Sequence, residues 1–120
     1  MQHGTPAIKA DIKGVKRSLI IDRDSDVSIL QPGISNASIR DTTLWPYGMT
    51  GETLDVRGRQ TVSVGLGGWK FDHMLLVCPL PTEAGGLLGT DFLKERGAHI
   101  NFEDGKISFN DTVRQPSSWR

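Results

Sequence analysis

The chain has 120 residues, 37% hydrophobic and 23% charged, and its Lys+Arg 14 balance its Asp+Glu 14 for a formal net charge of +0. That length fits one domain with a single modest core, and the composition excludes a disordered chain. The charge balance argues against a protein held on nucleic acid by phosphate contacts, and no apolar run approaches the roughly 20 residues that span a membrane.

In chain order, the first element is a strand. In AIKADIKG (7–14), Ile8, Ala10 and Ile12 face one way and Lys9, Asp11 and Lys13 the other, the period of a half-buried strand. Gly14 marks a hairpin turn. A second apolar run, Leu19-Ile20-Ile21, ends at Asp22, and Val27-Ser28-Ile29-Leu30 follows. The stretch YGMTGETLDV (47–56) reads as a glycine-containing hairpin. Two long strands come next. Val62, Val64 and Leu66 alternate in the first, and Trp69, Phe71, His73, Leu75 and Val77 share one face of the second, with Gly67-Gly68 between them. Residues 90–96 are the one segment that reads as helix. Thr90 or Asp91 is placed to cap its start, and Gly97 to end it in a left-handed conformation. HINFEDGKISF (99–109) reads as a final hairpin turning at Asp104-Gly105, and the polar stretch 110–120 as a frayed tail.

The chemistry gathers in LIIDRDSDVSIL (19–30). Asp22, Asp24 and Asp26 alternate, Arg23 stands between the first two, and apolar residues close in on both sides. Like charges in a poorly solvated place need a purpose, a partner or a proton. The Asp-x-Asp-x-Asp spacing is that of a calcium loop, but Val27 and Gly33 stand where such a loop needs Gly and Glu. His3, His73, His99 and Cys78 lack the spacing of a zinc site, so no metal and no cofactor is expected. Cys78, the one cysteine, reads as a small buried apolar residue, and its solitude suits a reducing, intracellular setting.

The order of these features resembles that of the retroviral-type aspartic proteases, the retropepsins, over residues 6–109. Two motifs carry the resemblance. The family's apolar-apolar-Asp-Thr/Ser-Gly loop has its counterpart in Ile20-Ile21-Asp22-Arg23-Asp24-Ser25-Asp26, and the later apolar-apolar-Gly in Leu87-Leu88-Gly89. The resemblance implies an all-β closed barrel with a flap hairpin and one short helix, bounded as an N-terminal extension (1–6), the domain (7–109) and a tail (110–120). It also implies a homodimer that brings two copies of Asp22 together to share one proton and activate a water against a peptide bond. Gly48, Met49, Thr50 and Gly51 match the flap tip, with Tyr47 and Trp45 before it either lining a peptide groove or packing the flap base. Asp26 falls where many relatives carry Asp, on the peptide-binding side. Leu87, Leu88 and Gly89 match the brace behind the catalytic loop.

Arg23 and Asp24 depart from the pattern. In the family, the Thr or Ser after the aspartate bonds across to its twin, and the Gly lets the backbone pass close to substrate and partner. A guanidinium cannot make that short hydroxyl bond, and Asp24 adds a side chain and a charge. Two copies of each would crowd the two-fold axis, a costly ion network. The expectation is therefore a retropepsin-like domain with proteolysis lost or impaired, serving as a dimerisation or peptide-binding module. The alternatives are an active homodimeric aspartic endopeptidase using Asp22, and a monomer that binds a partner through unpaired strand edges. The partner expected is a second copy with an extended peptide or protein segment, and neither nucleic acid nor a membrane.

Overall fold

Apolar residues at every second position commit most of this chain to strands with one inward face. The structure, a computed structural model, describes residues 6–42, 55–101 and 103–109, and the backbone of 117–118. Strand β1 (Ala7–Ile12) and β2 (Val15–Ile21) form the first hairpin. Lys13 and Gly14 both take positive φ, 55° and 81°, as a two-residue turn matched to strand twist requires. Asp11 Oδ1 accepts the Gly14 N–H at 2.8 Å and holds that turn. After the short β3 (Ile29–Leu30), β4 (Gly58–Leu66) and β5 (Trp69–Val77) pair along their whole length around Gly67-Gly68.

The six strands β1 to β6, the last being β6 (Gly86–Leu88), close a barrel in the order β1-β2-β6-β3-β5-β4, with Asp11 opposite Gly65 at the closure. The inward faces are those the alternation predicts: Ile8, Ala10 and Ile12, then Val62, Val64 and Leu66, then Trp69 and Leu75 are all buried. Helix α1 (Thr90–Glu95) follows β6 and sends Phe92 and Leu93 into this core. A separate three-stranded sheet, β7 (His99–Asn101), β8 (Lys106–Ser108) and β9 (Ser117–Ser118), ends the chain. Phe109 ties this end to the barrel, with ring centroids 4.7 Å from Phe71, 5.3 Å from Trp69 and 6.0 Å from Phe92.

Three expectations need comment. The helix has Gly89 at its N-cap with no side-chain cap. Thr90 and Asp91 are its first two residues, the Thr90 hydroxyl bonding Ser25 O and the Asp91 carboxylate bonding Ser28 and His73 as well as the Phe92 N–H. Gly97 does end the helix in the left-handed region, at φ 63°. Ser117–Ser118, in the stretch read as a frayed tail, pair with Ile107 and Lys106. The flap expectation, with Trp45, Tyr47, Gly48, Met49, Thr50 and Gly51, falls outside the described residues. Among the described residues, no helix is long and apolar enough to cross a membrane.

The barrel order conceals its main constraint. β2 and β3 are nearly consecutive in sequence, yet β6 lies between them, parallel to β2 and antiparallel to β3. The chain leaves β2 at Asp22, loops over the end of β6 and returns as β3. Such threading leaves little space. A Cβ on Gly86 would collide with the Ile29 carbonyl, and one on Gly89 would lie 2.5 Å from Val27 O and 2.6 Å from Ser25 O. Gly89→Ala is expected to destabilise the fold by about 3 kcal/mol, measured by denaturant unfolding. Gly85→Ala, whose nearest contact would be Arg17 Cβ at 3.3 Å, tight but short of a collision, should cost clearly less.

Candidate functional site

The loop from Asp22 to Ser28 is held at both ends by main-chain bonds. Asp22 N–H donates to Leu88 O at 3.0 Å, and Leu76 N–H donates to Ser28 O at 3.0 Å. Within the loop, Asp22 Oδ1 accepts the Asp24 N–H at 3.0 Å, the side-chain turn typical of Asp. Ser25 Oγ donates to Val27 O at 2.7 Å. Ser25 O accepts the Thr90 N–H at 2.8 Å and the Thr90 hydroxyl at 3.2 Å. Asp22 is therefore half-buried in a fixed setting, while the side chains of Arg23, Asp24 and Asp26 are exposed.

Behind the loop lies a buried polar knot. The Ser28 hydroxyl donates to Asp91 Oδ1 at 2.7 Å and accepts the Gly89 N–H at 3.0 Å. Asp91 Oδ2 lies 3.1 Å from Nε2 of the buried His73, and with the carboxylate ionised, Nε2 is the donor. His73 Nδ1 is 3.8 Å from Glu95 Oε2, and the His73 ring packs edge-on against Phe92 at 5.0 Å. Burial alone would raise the Asp91 pKa. The hydrogen bonds from His73, from Ser28 and from the Phe92 N–H outweigh it and hold the carboxyl below the ordinary Asp value.

The sequence reading did not single out this knot. It treated Ser28 as strand, Asp91 as a cap and His73 as a face residue. The available signal was His73 itself, a polar residue on an otherwise apolar strand face. It also assigned no role to residues 80–84. These form one wall of a cavity of about 640 Å³ that Asp22 lines, with Leu80, Pro81 and Thr82 facing Ile20 and Leu87. The described part of the site thus brings together Asp22, Ser25, Leu87, Leu88 and Gly89, and leaves Asp26 on the surface. Among the described residues, no three His, Cys, Asp or Glu side chains converge to hold a metal ion. Cys78 is buried, and burial first, then the Asp55 charge, pushes its thiol pKa up, as suits a packing residue.

The Asp91 arrangement has a pH signature. Its pKa is lower folded than in the unfolded chain, so the ionised form favours the fold above about pH 4, and that contribution fades as pH falls through the folded value. Asp91→Asn is expected to cost about 2 kcal/mol near neutral pH. The gap between variant and unaltered protein should close as unfolding is measured at successively lower pH.

Three comparisons bear on this arrangement. No family model matches the chain. It is 30% identical over 115 residues, 92% of its length, to the Gag-Pol polyprotein of baboon endogenous virus (strain M7), and it spans about 6% of that polyprotein. Among solved structures, it resembles the retroviral protease-like domain of Ddi1 from Leishmania major, with a TM-score of 0.74 at 14% identity over 97% of this chain and 94% of that one. It also resembles EIAV protease complexed with the inhibitor HBY-793, with a TM-score of 0.66 at 19% identity over 81% of this chain and 92% of that one. A closed barrel with one short helix, an aspartate loop braced by Leu-Leu-Gly and a retroviral relative agree: the chain has the retropepsin-like fold.

Proposed function

We propose that the chain is one half of a homodimer that binds an extended peptide segment, with proteolysis lost or impaired at its altered loop. The observation that carries this reading is the position of Arg23 and Asp24. Both side chains are exposed at the turn directly after Asp22, a residue that lines the cavity. In a two-fold pair that placed two copies of Asp22 together, this turn would meet its twin. Two guanidiniums and two further carboxylates would then be desolvated beside the dyad. The Arg23 charges would also work against the single shared proton on which water activation depends.

Binding asks less of the loop than catalysis does. The cavity beside Asp22 offers apolar walls from Ile20, Leu80, Pro81 and Leu87, suited to alternate side chains of an extended peptide. That EIAV protease was solved with an inhibitor supports a ligand-binding use of this fold. A second reading, an active endopeptidase using Asp22 from each copy, is favoured by the 3.0 Å bond from the Asp24 N–H to Asp22, since the turn still orients the carboxylate.

The two readings part in one experiment. Sedimentation near neutral and mildly acidic pH should show a dimer; a monomer at high concentration would sink both. The double change Arg23→Thr and Asp24→Gly should raise cleavage of an extended peptide by at least about a hundredfold, the scale of an acid–base contribution. Adding Asp22→Asn to that variant should abolish the gain. Cleavage by the unaltered protein that Asp22→Asn removes would establish the second reading instead.

A further inference from the structure

The wall of the cavity beside Asp22 has no regular structure of its own. Residues 80–84 run between β5 and β6 without strand or helix, so their backbone groups need partners from elsewhere. One side chain supplies most of them. Gln31, the residue immediately after β3, donates through Nε2 to Leu80 O at 2.9 Å and Thr82 O at 3.0 Å, with a longer contact to Ala84 O at 3.4 Å. Its Oε1 accepts the Leu80 N–H at 2.8 Å. The Gln31 main chain adds a bond from its N–H to Gly85 O at 2.8 Å.

Within the segment, only two weaker ties complete the set. Thr82 N–H donates to Leu80 O at 2.8 Å around Pro81, and Ala84 N–H to Thr82 Oγ1 at 3.2 Å. A carboxamide alone fits this place. Its acceptor meets an N–H while its two donors meet carbonyls, a pairing that neither a carboxylate nor a hydroxyl reproduces.

We infer that Gln31 is the positioning residue of this cavity: its carboxamide fixes the wall at residues 80–84 opposite Asp22, and with it the shape offered to a ligand. The ligand part of this inference rests on the peptide-binding reading above; the clamp itself does not.

Amide hydrogen exchange tests the clamp without any ligand. In Gln31→Ala, protection at Leu80 should fall at least roughly tenfold, the loss of a buried hydrogen bond or more. Protection at Ala84, whose N–H bonds Thr82 and not Gln31, should fall with it, because the wall is released as a unit. Protection at Val64 and Leu75 in the barrel should hold. Unchanged protection at Ala84 would overturn the inference, since Gln31 would then be making only its own bonds.

Gln31→Glu keeps the acceptor for Leu80 but faces carbonyls with a carboxylate. It should lose Ala84 protection near neutral pH and regain part of it below about pH 4, where a protonated carboxyl can donate again. Unaltered protein measured at each pH is the baseline. No recovery on acidification would count against the clamp.

Acetyl-pepstatin serves as the peptide probe. Both variants should bind it at least about tenfold more weakly than unaltered protein at equal dimer content. Equal binding would overturn Gln31 as a determinant of the site's shape. Failure of the unaltered protein to bind would overturn the peptide-site reading, with the exchange result still deciding the clamp.

Discussion

The Ser28 hydroxyl is the contact on which the centre of this molecule depends. It sits where the returning loop, the end of β6 and the start of the helix meet, as a donor to Asp91 and an acceptor for Gly89, while the Ser28 main-chain carbonyl accepts the Leu76 N–H of β5. A buried polar group earns its place only when every bond is made. Here the chain closes through Asp91 to His73 on β5, so the threaded strand is fastened from behind. Exchanging Ser28 for an apolar residue of similar size would leave the buried Gly89 N–H without its partner and take one of its donors from the Asp91 carboxylate.

Much of the barrel was legible in the sequence because its information is local. Alternation in 7–12, 60–66 and 69–77 reports which face is inward, and Gly14, Gly67 and Gly97 report where the backbone must take positive φ. The insertion of β6 between β2 and β3 is different in kind. Its parallel pairing with β2 joins residues far apart in the chain, and no short-range pattern encodes that; the resemblance to a family gave only that Leu87-Leu88-Gly89 brace the loop. The polar knot was hidden for a related reason. Ser28, His73 and Asp91 are unremarkable singly, and their meaning arises from a meeting that requires the barrel to be closed. Gln31 was equally silent, since a lone Gln after a short strand carries no periodic signal.

The front and back of the loop answer to different demands. Behind it, Gly89, Ser28, Asp91 and the carbonyls of Ser25 and Val27 are pressed together with no spare volume. In front, the side chains of Arg23 and Asp24 are exposed. Asp22 lies between the two, its main chain bonded to Leu88 and its carboxylate to the Asp24 N–H.

This division uncouples shape from chemistry. Selection for a soluble, folded chain acts on the residues behind the loop and is nearly blind to those in front. Positions 23 and 24 are exposed, whereas at position 89 a methyl group would meet the carbonyls of Val27 and Ser25. An architecture of this kind keeps its shape and its chemistry in the hands of different residues.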